Sequence, residues 1–137
     1  MPGDMHKGGC GCGAVRFELR GALRPVIFCH CDQCRRQSSH FLASSEVDDA
    51  MLTIISGADD ITWYRSSDFA RRGFCGICGS GLFWKQDGTI TTSVMAGSFD
   101  LPTGLKAQSH IFVSQKGDYY AIEDGLPQHD RWDQPPM

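Results

Sequence analysis

Seven cysteines constrain this chain more than any other feature, and they stand in three tight clusters: Cys10-Gly11-Cys12, Cys29-His30-Cys31-Asp32-Gln33-Cys34 and Cys75-Gly76-Ile77-Cys78. Thiols spaced this closely converge on one ion from a single turn, and Zn²⁺ is the ion that thiolate-rich, redox-neutral sites select. In a secreted protein the same count would read as disulfides with one thiol left over. The start, Met1–Lys7, has no apolar core of a secretory leader, so reduced cysteines, metal ligation and a cytoplasmic location are the expectation.

Seven divides into four plus three in two ways. One grouping joins Cys31/Cys34 with Cys75/Cys78 and leaves Cys10, Cys12 and Cys29 over. The other joins the two glycine-flanked pairs, Cys10/Cys12 and Cys75/Cys78, and keeps Cys29, Cys31 and Cys34 together. The second is preferred, because a trio within six residues closes its chelate at little loop entropy. Four ligands make a closed structural zinc site, whereas three leave a position for water or substrate.

The remainder of the chain is read as a single zinc-binding domain over residues 1–137, with 41% hydrophobic and 21% charged residues and no sign of disorder. The net charge of −3 argues against nucleic acid as a partner. A membrane is equally unexpected, since no run approaches the roughly 20 apolar residues of a spanning helix.

Met1–Gly9 reads as a polar leader, loose at its beginning. Val15, Phe17 and Leu19 alternate with Arg16 and Glu18 as in a half-buried strand. Val26-Ile27-Phe28 form a second strand that delivers the chain into Cys29. Further strands are expected at Phe41–Val47, Met51–Ile55, Ile61–Tyr64, Leu82–Trp84, Thr89–Ala96 and Gln108–Ser114. Asp87-Gly88 is a hairpin-turn dipeptide before the fifth of these. Arg71 and Arg72 read as a solvated edge before the second C-x-x-C, Asp59/Asp60 as a turn, and His110 as a hydrogen-bonded histidine on a strand face. The tail from Gly125, with three of the six prolines, reads as irregular. No long amphipathic helix is evident. Frequent short strands and turns without an internal repeat define an all-β assembly with at most short helical turns.

Several ordered motifs resemble one family. They are Gly9-Cys10-Gly11-Cys12-Gly13-Ala14-Val15-Arg16-Phe17-Glu18, Cys29-His30-Cys31-Asp32-Gln33-Cys34-Arg35-Arg36, Phe74-Cys75-Gly76-Ile77-Cys78-Gly79-Ser80 and Ala96-Gly97-Ser98-Phe99-Asp100. His110-Ile111-Phe112-Val113 and Asp124-Gly125-Leu126-Pro127 follow them. Together they are similar to the signatures of the glutathione-dependent formaldehyde-activating family, which also includes centromere protein V, over about residues 9–127. The resemblance implies a β-tent fold, as in methionine-R-sulfoxide reductases and the zinc-containing Rab exchange accessory protein. It also implies two zinc ions per chain: a structural one at Cys10, Cys12, Cys75 and Cys78, and a second at Cys29, Cys31 and Cys34.

The chemistry expected of the trio is carbon–sulfur bond formation or cleavage on an adduct such as S-hydroxymethylglutathione. A thiol that completes a zinc shell is held as thiolate, and three cysteine thiolates weaken the Lewis acidity that hydrolysis would need. The partner is then a small thiol such as glutathione, and Arg35 and Arg36 are candidates to bind its carboxylates. Two other classes compete: a non-catalytic glutathione- or protein-binding zinc module, and a thiol redox protein using Cys29, Cys31 or Cys34. His30 adjoins two ligands in sequence, but on an extended backbone its ring points away from them. Asp100 is expected to stabilise a turn at least as much as to act in chemistry.

Overall fold

The computed structural model describes residues 5–132. Among them are ten strands and one α-helix: β1 (Met5–Gly9), β2 (Arg16–Arg20), β3 (Val26–Cys29), α1 (Asp32–Ser38), β4 (Leu42–Asp48), β5 (Leu52–Ser56), β6 (Ile61–Arg65), β7 (Ala70–Cys75), β8 (Gly81–Gln86), β9 (Thr91–Met95) and β10 (Ala107–Ile111). The class is all-β. No helix among the described residues is long and apolar enough to cross a membrane. The chain divides into two compact units, Met1–Arg24 with Ser45–Gly104, and Pro25–Ser44 with Leu105–Met137, the boundary falling within β4.

The first unit carries an antiparallel sheet of order β1-β2-β5 and the antiparallel run β9-β8-β7-β6. Its core follows the alternation read from β2. Val15, Phe17, Leu19, Leu82 and Val94 are all buried, and the Phe17 ring meets Phe83 at 5.5 Å and Phe99 at 6.3 Å. Burying such side chains is the main favourable term, about 1.5–3 kcal/mol each. Met5–Gly9, part of the segment read as a polar leader, is a strand paired with β2 from Met5↔Arg20 to Gly9↔Arg16. Its backbone ladder supplies the order that its side-chain pattern lacks. A side chain at Gly8 would strike Ser98 O at 2.3 Å and the Phe17 ring at 2.6 Å, so glycine is what allows this close approach. The loose beginning expected before Met5 lies outside the described residues.

β7 is a second departure from expectation. Ala70, Gly73 and Cys75 fill its buried positions, all too small to read as an apolar face, yet β7 is paired on both sides, to β6 and β8. Arg71 is therefore not merely a solvated edge: its guanidinium sits 4.5 Å from the Trp63 ring centroid, while Arg72 is half-buried. Asp59 and Asp60 lie in a 3-10 turn, Ala58–Asp60, and Asp87-Gly88 is the turn between β8 and β9.

The second unit is a mixed sheet in which β3 pairs parallel to β10 and antiparallel to the first residues of β4. β10 stops at Ile111 rather than Ser114. Phe112 takes a left-handed conformation at φ 55° and turns the chain into a 3-10 turn, Val113–Gln115. The segment after Gly125 is irregular but bound. His110 N–H donates to Pro127 O at 2.9 Å, His129 N–H to His110 O at 2.9 Å and Phe112 N–H to Arg131 O at 3.0 Å. The end of the proline-rich tail, beyond Trp132, lies outside the described residues.

Candidate metal centres

The first unit brings Cys10, Cys12, Cys75 and Cys78 together, with all four ligand atoms within 4.8 Å of one another. Cys10 and Cys12 Sγ are 3.6 Å apart and Cys12 and Cys75 Sγ 3.8 Å apart. A tetrahedron with metal–sulfur bonds of about 2.3 Å has edges of about 3.8 Å, so the donor set fits a closed tetrahedral ion. Each pair sits in a turn that aims backbone N–H groups at sulfur: Val15 N–H donates to Cys10 Sγ at 3.2 Å and Cys78 N–H to Cys75 Sγ at 3.5 Å. Gly79, at φ 83°, lets the second turn close, with Gly79 N–H donating to Cys75 O at 2.8 Å. Ser80 Oγ ties the two turns together. It accepts from Gly11 N–H at 2.9 Å and lies 3.2 Å from Cys78 Sγ.

Electrostatics at this group is that of crowded thiols. The Ser80 side chain and backbone hold Cys78 down at about 5. Burial raises Cys10, but the Val15 N–H together with the Cys12 and Cys75 thiols outweighs it and the net shift is downward. Cys12 is lowered by the Ala14 backbone yet pushed up to about 12 by Cys10, burial, Cys78 and Cys75. Four sulfurs this close cannot all be anionic unless a cation shares their charge.

The second unit brings together Cys29, Cys31 and Cys34, whose ligand atoms also lie within 4.8 Å of one another. The elements that place them are distinct. Cys29 ends β3, and Cys31 caps α1, its Sγ accepting from Cys34 N–H at 3.2 Å. Cys34 is buried in the first turn of the helix. What the sequence presents as a loop is thus half strand end and half helix. Seven residues are too few to show a helical apolar stripe, and Cys34 is the one buried residue in α1. Cys31 and Cys34, with burial, push the Cys29 thiol up, the same mutual repulsion as in the first group. No described histidine or carboxylate joins the three as a fourth ligand within that distance.

His30 is withheld from the thiols by its own partners. Its Nδ1 is hydrogen-bonded to Tyr120 Oη and its Nε2 to His110 Nδ1 at 2.8 Å, while the residue is fully buried. His110 continues the array through Nε2 to Asp124 Oδ2 at 2.7 Å. Burial, and then His110, lower His30 to about 4, so its ring is neutral at neutral pH. Tyr120 and Asp124 are the members that sequence reasoning missed as a site. Asp124 lay in a recognised motif without a role, and no spacing rule links either residue to His30, ninety residues or so earlier for Tyr120.

Arg35 and Arg36 emerge from α1 beside the trio, and both engage Asp32. Arg35 Nη2 lies 2.6 Å from Asp32 Oδ1 and Arg36 Nε 3.4 Å from Asp32 Oδ2, with Arg36 largely exposed. Asp100, from the Ala96–Asp100 signature, pairs through both oxygens with Arg16 in the first unit.

The chain is 32% identical over 117 residues to an uncharacterized lyase of Schizosaccharomyces pombe, covering 84% of this chain and 83% of the relative. It resembles a Rhodobacter sphaeroides protein of known crystal structure with a TM-score of 0.55 at 25% identity, over 67% of this chain and 85% of that one. Residues 5–115 match the family described as glutathione-dependent formaldehyde-activating enzyme. The chain, with both of its cysteine groups inside or spanned by that match, belongs to the glutathione-dependent formaldehyde-activating enzyme family.

Proposed function

We propose that this protein is a zinc-dependent carbon–sulfur lyase or synthase that makes or breaks the adduct between a small thiol, glutathione being the first candidate, and formaldehyde. The observation that carries the reading is the pairing of a complete four-thiol group with an incomplete three-thiol one. Family membership and the lyase relative support lyase-type activity. The four-thiol group, Cys10, Cys12, Cys75 and Cys78, would hold a structural zinc. Cys29, Cys31 and Cys34 would hold the second. Because the family match runs through parts of both compact units, the chain is read as one zinc-binding domain.

Cys29, Cys31 and Cys34 would hold the ion, and when bound it would supply Lewis acidity that favours the thiolate form of an added thiol. The chain's own residues do the rest. Cys29, Cys31 and Cys34 present their sulfurs from a strand end and a helix start, which fixes their spacing before substrate arrives. His30, committed to Tyr120 and His110, leaves the fourth position to an external ligand. Arg36 and Arg35 would receive the carboxylates of the thiol peptide, exchanging part of their contact with Asp32 for them. In the synthetic direction the substrate sulfur forms a bond to the formaldehyde carbon. The C=O π pair moves to oxygen, which takes a proton, and the product is the S-hydroxymethyl thiol.

The test is exchange spectroscopy by NMR between free and thiol-bound formaldehyde, with and without protein, across several thiols and aldehydes. Acceleration with glutathione supports the lyase reading. A rate unchanged by protein for every pair would leave the non-catalytic binding module as the better account.

A further inference from the structure

The array Asp124–His110–His30–Tyr120 spans the second unit with one hydrogen bond between each pair of neighbours. It has a single polarity in which both rings are neutral. Asp124 accepts only, so His110 Nε2 donates to it and His110 Nδ1 accepts. His30 Nε2 must then donate, His30 Nδ1 accepts, and the Tyr120 hydroxyl donates. Every imidazole nitrogen is used once. Rings so constrained lose their freedom to rotate about χ2, which an isolated histidine keeps.

His30 stands between two thiols of the trio, and its main chain is anchored too, with His30 N–H donating to Ile111 O at 3.0 Å. On the extended backbone from Cys29 to Cys31, the middle side chain points to the opposite side from its two neighbours. His30 accordingly is fully buried, while Cys29 and Cys31 are half-buried. Clamping the ring on the inner side thereby sets the direction of both sulfurs on the outer one. Aromatic neighbours close the clamp: Phe41 lies 4.8 Å from the His30 ring centroid and Phe28 5.0 Å from that of His110. Lys116 Nζ bonds Tyr120 O at 2.6 Å and lies over its ring, holding the far end.

We infer that Asp124, His110 and Tyr120 are positioning residues for the three-thiol site, acting through His30 to hold Cys29 and Cys31 in ligating geometry. This rests on the reading of Cys29, Cys31 and Cys34 as a metal site. It assigns the segment after β10 the task of preorganising that site, in the way outer partners orient ligands elsewhere, where their loss typically weakens metal binding about 10–100-fold.

The experiment is chelator competition for zinc on the full chain, wild type against Asp124→Ala, Asp124→Asn, His110→Gln and Tyr120→Phe. Imidazole ¹⁵N shifts of the zinc-loaded protein are read alongside. The expected result is that Asp124→Ala and His110→Gln weaken one zinc about 10–100-fold and leave the other unchanged. Asp124→Asn, which keeps an acceptor oxygen, should restore most of the loss. The shifts should show both rings with the proton on Nε2, and Tyr120→Phe should move the His30 Nδ1 signal. The unchanged zinc at Cys10, Cys12, Cys75 and Cys78 reports that the variants still fold. Two zincs in every variant at wild-type affinity, or equal weakening of both, would overturn the positioning role while leaving the metal reading intact. A wild-type chain that binds one zinc only would overturn both. Absence of catalytic exchange in the zinc-loaded wild type, with the zinc pattern of the variants as expected, would count against the lyase reading alone.

Discussion

Arg16 and Asp100 meet through two parallel hydrogen bonds, Nη1 to Oδ1 at 3.1 Å and Nη2 to Oδ2 at 2.5 Å, joining the start of β2 to the turn after β9. The Arg16 guanidinium holds the Asp100 carboxyl below its usual range. Both groups are substantially exposed, so the pair orients the turn more than it stabilises the fold. Asp100→Asn is therefore expected to lower the melting temperature slightly while leaving zinc content at two per chain. A lost zinc in that variant, measured by elemental analysis, would show that the pair supports a cysteine group directly.

Lys85 is the more consequential ion pair. Its side chain is only 16% exposed, and its ammonium bonds Asp49 and the carbonyls of Thr89 at 2.7 Å and Thr91 at 2.9 Å. Thr92 Oγ1 donates to the same carboxylate at 2.6 Å. Lys85→Met leaves these acceptors without their donor and is expected to cost about 1–3 kcal/mol in urea unfolding.

The same pair sets a pH dependence. Burial raises Asp49, but Lys85 and Thr92 outweigh it and hold the carboxyl low. A carboxylate depressed in the folded state contributes stability that is present above its unfolded value, about 4, and lost as pH falls through the folded value. The stability gap between wild type and Asp49→Asn is expected to be constant near neutral pH and to close below about pH 4. A gap that widens on acidification would contradict the assignment.

Phe17 anchors the first unit, buried against Phe83 and Phe99. Phe17→Ala is expected to cost about 3–5 kcal/mol, the range for a large core aromatic. Cys75→Ser should be worse, since a structural zinc contributes on the order of 10 kcal/mol of apparent binding energy to folding. Circular dichroism on the purified variants distinguishes a weakened fold from an absent one.

Arg35 and Arg36 test the substrate side of the account. If they receive the carboxylates of a thiol peptide, Arg35→Ala and Arg36→Ala should each weaken glutathione binding about tenfold in calorimetry, or roughly 1.4 kcal/mol. Cysteamine, a thiol without carboxylates, should be unaffected. Unchanged glutathione affinity would remove both residues from the site.

The cysteine grouping was legible in part, because ligand spacing is local chemistry: a trio within six residues and two glycine-flanked pairs favour the grouping whose sulfurs the structure brings together, though spacing alone left a second one open. β2 was legible too, since its one-face burial imposes strict alternation at Val15, Phe17 and Leu19. β7 was hidden because its buried positions are Ala70, Gly73 and Cys75, where packing against flanking strands leaves room only for small groups. α1 was hidden by its shortness. The array from Asp124 to Tyr120 could not be read at all, because His30 meets its partners only when β10 pairs parallel to β3, a contact with no signature in either segment.

The most direct test of the account is the zinc content of wild type and Cys34→Ser, measured before and after mild chelation. Two zincs in wild type, one of them readily removed, and a single retained zinc in a folded Cys34→Ser are the predicted results. One zinc in wild type together with three titratable thiols at Cys29, Cys31 and Cys34 would contradict it and favour thiol redox chemistry.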